Sequence, residues 1–203
     1  MTDLTLFHTA EVHRATFDKL AQRIAPTARL IHVVRPDWLD RAQGGIDVEL
    51  SDEIQTEIAD ASNALCTCTT IADVATQAGA IRVDRPMMEM AAATGGPVLM
   101  AYCLQSTLIP SSDLLKSAFQ ERRQPATFRT LPLMTLWELF TSGQVDQFSK
   151  GIADHIDNAV RLWPDTTAVV LAQASMAQAA QHVTTAIPVL SSPELALRRG
   201  LGL

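Results

Sequence analysis

Two thiols one residue apart, Cys66 and Cys68, stand in the run Leu65-Cys66-Thr67-Cys68-Thr69-Thr70. A thiolate can take a proton from carbon or attack it, and neighbouring hydroxyls can hold an anion beside it. Further along, Val169-Val170-Leu171-Ala172-Gln173-Ala174-Ser175-Met176 repeats the layout with an amide, Gln173, where the thiol would be. In both runs an apolar stretch meets small polar residues and then a helical pattern. Two such units imply a duplicated chain with a site between its halves.

The elements that must position these residues alternate between short apolar runs and helical patterns. Leu4–Phe7, Leu30–Val34, Ala64–Thr67 and Ile81–Val83 read as strands. Helices are expected at about 11–24, over Ser51–Ala61 with Ser51 as N-cap, over Ile71–Ala78 closed by Gly79, and over Met87–Ala93 opened by Pro86. The second half repeats this with strands at Val98–Tyr102, Thr127–Leu131, Thr167–Ala172 and Pro188–Leu190. Its helices are expected at Ser112–Glu121, from Leu136, over Gln144–Leu162, over Ser175–His182, and after Pro193. Continuously apolar strands alternating with helices give an α/β fold of two pseudo-symmetric halves, each a parallel sheet flanked by helices. The halves are expected at 1–95 and 96–203, with interleaving at the ends. Landmarks recur in register: Thr107 lies 98 positions after Thr9, Pro125 99 after Pro26, Gln173 105 after Cys68 and Pro193 107 after Pro86. The other reading of these matches is generic α/β alternation.

In such folds ligands bind beyond the carboxyl ends of the strands. Cys68, Thr69 and Thr70 fall there. Helix-end N–H groups favour a thiolate below the reference pKa of about 8.5 and offer donors to a carboxylate. Thr69 or Thr70 serving only as a helix cap is the plainer alternative, and Cys66 reads as a small buried hydrophobe. His8 and Thr9 end the first strand, Gln105, Ser106 and Thr107 follow the fifth, and Ser175 follows Gln173. Together they suit a small anion; singly each is an ordinary turn or cap residue. His8 is the candidate proton-transfer partner. His32, inside a strand, reads as a satisfied core histidine. His13 falls on the first helix, and His155 and His182 read as surface residues. Asp84-Arg85 either aims charge at the cleft or caps a helix, and Cys103 reads as core or as a group behind the site.

Composition narrows the classes. A net charge of −6 over 203 residues, with no basic run beyond Arg122-Arg123 and Arg198-Arg199, argues against nucleic acid. No apolar run approaches the ~20 residues that cross a bilayer, and the start, Met1-Thr2-Asp3-Leu4, shows no basic n-region or apolar signal core, so a cytoplasmic location is expected. Three cysteines without a second pair at metal spacing point to free thiols, with no metal site. No phosphate loop, dinucleotide fingerprint, zinc-protease helix or serine elbow is present, so no cofactor is expected.

Cys68-Thr69-Thr70-Ile71 on a strand-to-helix turn resembles the first cysteine motif of the aspartate/glutamate/hydantoin racemase superfamily. His8-Thr9, Asp84-Arg85-Pro86-Met87, Ser106-Thr107-Leu108 and Leu171–Met176 are similar to its other landmarks, across nearly the whole chain. The resemblance implies two α/β half-domains with the site between them, cofactor-independent chemistry, and a homodimer. It also implies a small carboxylate or amino-acid-like substrate held by His8, Thr9, Thr69, Thr70, Ser106, Thr107 and Ser175. Cys68 and Gln173 then face the reacting carbon. Members of that family invert their substrate with two opposed thiols; here Gln173 takes the second position, and a neutral amide is no base near pH 7. Three readings follow: a racemase or isomerase working through the Cys68 thiol, a one-cysteine cis–trans isomerase or decarboxylase, and a non-catalytic small-acid binder. A purely structural α/β module is the fourth.

Overall fold

The computed structural model describes residues 3–203. Strands and helices alternate from β1 (Asp3–His8), α1 (Val12–Ile24), β2 (Arg29–Val34), α2 (Pro36–Ala42) and α3 (Val48–Ala59) to β3 (Ala64–Cys66), α4 (Ala72–Gln77), β4 (Ile81–Arg82) and α5 (Arg85–Ala93). The alternation resumes with β5 (Val98–Tyr102), α6 (Gln105–Glu121), β6 (Phe128–Pro132), α7 (Trp137–Thr141), α8 (Val145–Leu162), β7 (Ala168–Leu171), β8 (Val189–Ser191) and α9 (Ser192–Leu201). Short 3-10 stretches cover Met134–Leu136 and Ala174–Gln181.

The strands form two four-stranded sheets of identical order, β2-β1-β3-β4 and β6-β5-β7-β8, and each pairing is parallel. Two compact units follow: Met1–Pro86 with Pro193–Leu203, and Met87–Ser192. The sequence repeat puts its cut after residue 95; the structural division falls after Pro86 and returns Pro193–Leu203 to the first unit.

In the first unit the sheet is covered on both faces, as its apolar strands require. Side-chain alternation sends Phe7 and Cys66 to one face, where Trp38, Leu50, Ile54, Ile58, Ile71 and Ala75 from α2, α3 and the α4 region pack. Leu4, Leu6, Leu65 and Val83 face the other way, onto Phe17 and Ala21 of α1 and Ala196, Leu197 and Leu201 of α9. Gly200 is what lets α9 come close: a Cβ there would lie 2.8 Å from the buried Leu4 side chain. Asn63 Nδ2 donates to the Gly200 carbonyl at 2.8 Å and fixes the same end. In the second unit α8 lays Phe148, Ile152, Ile156 and Ala159 onto Leu99, Ala101, Val169 and Leu171.

Several local expectations change for physical reasons. The α3 N-cap is Asp47, whose carboxylate accepts the Leu50 N–H at 2.8 Å; Ser51 lies inside the helix. A helix not expected from the sequence, α2, is opened by Pro36. The helix expected from Ser112 begins at Gln105 and runs through Pro110, which removes one donor without ending it. Residues 175–182, expected as a helix, adopt the tighter 3-10 form over Ala174–Gln181.

Candidate active site

The three cysteine environments separate cleanly. Cys66 is fully buried, its Sγ donates to the Cys68 carbonyl at 3.4 Å, and burial pushes its thiol far above the ordinary range. Cys103, in the second unit, is buried as well, and loss of solvent pushes its thiol up to about 12. Cys68 alone is partly open to solvent. Its position two residues past β3 puts it beyond the last paired residue of that strand.

The candidate hydroxyls of the two units, each taken by itself, are uncommitted. Neither Thr69 nor Thr70 caps α4, whose N-cap is Ile71 with no side-chain bond. Thr69 is half-buried and Thr70 exposed. Thr9 and Thr107 are largely buried, Ser175 is half-buried and Ser106 is exposed. Ser106 and Thr107 lie in the first turn of α6. None of these six hydroxyls bonds within the chain among the described residues.

The strand-end cations are, by contrast, occupied. Arg35, just past β2, binds both Asp37 oxygens at 3.1 and 2.8 Å, reaches Glu53 and Glu57, and stacks 4.7 Å from the Trp38 ring centroid. Arg82 of β4 grips both oxygens of the buried Asp84 at 2.9 Å and reaches Asp73 of α4 at 2.5 Å. Asp84 thus does not present its charge to solvent: it is buried, and Arg82 engages both its carboxylate oxygens. Of the polar side chains described here at the ends of this sheet, those left over for a ligand are the Cys68 thiol and the threonine hydroxyls.

His8 is deeper than its strand-end position implies. It is 1% exposed and both ring nitrogens are engaged: Nδ1 with Thr67 Oγ1 at 2.9 Å and Nε2 with His32 Nδ1 at 2.8 Å. No ring nitrogen is left to touch a substrate. His32 is satisfied, as expected, its Nε2 meeting Asp18 Oδ1 of α1 at 3.1 Å. His13 stacks on His8 with ring centroids 6.2 Å apart, and Phe17 lies 5.7 Å away. His155 and His182 are exposed.

Burial first, then the neighbouring His32, His13 and Arg14, hold the His8 imidazole down to about 3. The unfolded chain takes up a proton near pH 6.5 that the folded one refuses until about pH 3. The contribution of neutral His8 to stability is therefore intact above about pH 6.5 and is lost as pH falls toward 3. Urea midpoints measured from pH 7 down to pH 4 should decline, and His8→Asn should remove part of that decline. An unchanged slope would contradict it.

Gln173 is committed too. Its Oε1 accepts the Cys103 N–H at 2.6 Å and the Leu104 N–H at 3.1 Å, at the turn from β5 into α6. The Gln173 amide therefore spends its carbonyl on the backbone and keeps only its NH₂ group for other work. Among the described residues no group of three or more His, Cys, Asp or Glu side chains is arranged to hold a metal, and no helix is long and apolar enough to cross a membrane.

No protein-family model matches the sequence, and no curated protein matches it either. Solved structures do match in fold. An aspartate racemase from Picrophilus torridus aligns over 100% of this chain and 95% of its own, at 15% identity and a TM-score of 0.67. An aspartate racemase homologue from Pyrococcus horikoshii aligns over 100% and 98%, at 13% and 0.66. An allantoin racemase from Klebsiella pneumoniae aligns over 100% and 87%, at 17% and 0.65. The chain shares the fold of these racemases.

Within this racemase fold the strand registers decide which positions correspond. Phe7 pairs with Cys66 in the first sheet as Ala101 pairs with Leu171 in the second. The Thr67 N–H bonds to Phe7 O as the Ala172 N–H bonds to Ala101 O. Cys68 and Gln173 are therefore equivalent, each two residues beyond the last paired position. Pro86 and Pro193 also correspond, each the second residue of its helix. Thr9 and Thr107 do not: two residues past Phe7 corresponds to Cys103, so the match at 98 positions compares different places in the two units.

Proposed function

We propose that this chain is a cofactor-independent enzyme of the racemase superfamily that acts on a small carboxylate through the Cys68 thiol. The observation that carries this reading is the contrast among the thiols. Cys66 and Cys103 are sealed in the interior, while Cys68 is partly open on a strand-end turn beside the unpaired hydroxyls of Thr69 and Thr70. Removal of a proton next to a carboxylate, or addition of the thiol to an activated carbon, is the chemistry a single thiolate offers. Thr9, Thr69 and Thr70 are assigned to the carboxylate oxygens. The hydroxyls of Ser106, Thr107 and Ser175, at strand ends and turns of the second unit, are given the same role.

Gln173 shapes the choice of reaction. Its carbonyl is tied to two backbone N–H groups and its nitrogen is no base. One-thiol chemistry, as in cis–trans isomerisation of a dicarboxylate or decarboxylation, is favoured within this reading over two-thiol inversion.

The test combines alkylation with turnover. Iodoacetamide at pH 7 should modify Cys68 first and spare Cys66 and Cys103 in the folded protein, with the labelled residue identified by peptide mass. Incubation with an active carboxylate, chosen from a panel of amino acids, hydantoins and dicarboxylates, should slow that labelling. The same compound should be turned over, seen as deuterium uptake from solvent or as product by chiral or reversed-phase chromatography. Protection and thermal stabilisation with no chemistry across the panel would favour the small-acid binder instead. A Cys68 no faster than free cysteine, and unprotected by every compound, would sink both.

A further inference from the structure

The side chains of Asp18, His32, His8 and Thr67 form one unbroken hydrogen-bonded line, from half-exposed Asp18 to the residue before Cys68. Counting protons along it is informative. The Thr67 hydroxyl donates to the Phe7 carbonyl at 3.1 Å, so it accepts from His8, and His8 carries its proton on Nδ1. Neutral His8 then has a bare Nε2, and the proton in the bond to His32 belongs to His32 Nδ1. The bond from His32 Nε2 to the Asp18 carboxylate needs another. Three N–H protons on two rings leave one positive charge beside Asp18.

Loss of one proton to water has a definite consequence. His32 keeps its proton on Nε2, toward Asp18, and its Nδ1 proton shifts to His8 Nε2. His8 Nδ1 is then bare, and the Thr67 hydroxyl turns from Phe7 O to donate to it. The proton that leaves is the one His8 Nδ1 held, the His32 Nε2 proton stays in place, and the Thr67 hydroxyl exchanges its bond to Phe7 O for one to His8 Nδ1, while Phe7 O still accepts the Thr67 N–H at 2.9 Å.

We propose that Asp18, His32 and His8 are positioning residues that couple the ionisation of this line to the turn carrying Cys68, through the orientation of the Thr67 hydroxyl. This rests on the reading of Cys68 as the reactive thiol. The coupling passes through the backbone, because successive residues past β3 point to opposite faces. The relay lies on the α1 side with His8, while Cys68 packs with the cluster on the α2 and α3 side. The groups that face the relay are accounted for. From α1 come His13, Arg14, Phe17 and Asp18, from β2 His32, and from the end of β3 Thr67. Burial and the three basic neighbours keep His8 from accepting a second proton, so it changes tautomer and not charge.

The test is ¹⁵N NMR of the histidine rings across pH 5 to 9, with Cys68 alkylation rates followed in parallel. His8 should pass from the Nδ1–H to the Nε2–H tautomer without a charged intermediate, with the same midpoint as the loss of charge from His32. The Cys68 alkylation profile should show a step of about threefold or more at that midpoint, above the smooth rise of thiol ionisation. Thr67→Val should abolish the alkylation step while the histidines still titrate, and Asp18→Asn should move both midpoints together. A His8 tautomer that stays fixed through the range, or a His8 that titrates independently of His32, would overturn the proposal, and the wild-type spectra decide this even where a variant fails to fold. An alkylation step that persists in Thr67→Val would also overturn it. Unreactive Cys68 with a normal tautomer step would instead count against the function assigned to the thiol.

Discussion

Cys68→Ala should abolish turnover of whichever small carboxylate the protein acts on, by at least about 10³-fold in kcat. The thermal midpoint should stay near that of the parent protein. The thiol is partly open and makes no side-chain hydrogen bond among the described residues, so its removal leaves neither a large void nor an orphaned polar group. Cys66→Ala supplies the contrast. That side chain is wholly enclosed in the cluster with Phe7, Trp38 and Ile54, so trimming it should lower stability while leaving kcat within a small factor of the parent. Deuterium exchange at the substrate's acidic carbon, or product formation, measures the first, and urea unfolding the second. Parent-level turnover in Cys68→Ala would remove the thiol from the mechanism. Lost turnover in a well-folded Cys66→Ala would move the chemistry to the wrong cysteine.

The second large effect concerns stability. Asp84→Ala should cost about 3–5 kcal/mol, because it strands a buried guanidinium. The Arg82 side chain is 7% exposed and that of Asp84 1%, and the two meet through two bonds at 2.9 Å. The partner left to Arg82 would be Asp73, which is 83% exposed and too well solvated to replace what is lost. A double replacement, Arg82→Met with Asp84→Leu, should recover most of the deficit, since it removes both charges at similar volume. Urea denaturation of the three variants gives the coupling directly. A single-variant loss under about 1 kcal/mol would show that the pair holds little.

The two sheets were readable because their strands are short, apolar throughout and bounded by turn residues. Val98–Tyr102 appears in the structure with the expected limits, and the other strands shift by one residue or so at their ends. The equivalence of Cys68 and Gln173 was also readable, as both follow a strand by the same count. Boundaries set by side-chain hydrogen bonds were not. Asp47 caps α3 because its carboxylate reaches the Leu50 N–H, a competition that Ser51 loses for want of position. The start of α6 at Gln105 was not legible either, since the helix runs on through Pro110 and can carry one missing donor.

Among the candidate residues, geometry changed the roles that residue type suggested. His8 drew attention as a strand-end histidine, but burial and two ring bonds turn it inward. Gln173 drew attention as a missing thiol, and nothing in its own run of sequence shows that its carbonyl binds the backbone of Cys103 and Leu104. Asp18 was not singled out, because on its helix it is one acidic residue among ordinary surface residues; only the β1–β2 pairing, which sets His32 beside Leu6 and next to His8, brings it into line.

The return of Pro193–Leu203 to the first unit bears on how the chain matures. On a ribosome, residues 87–192 emerge before α9, so the later unit owns all its chain while the earlier one still lacks the helix that seals Leu4 and Leu6. The order of synthesis and the order of completion are thus reversed. Nascent chains stalled short of residue 193 should present that half-covered apolar face to chaperones, and the emergence of residues 193–203 closes it.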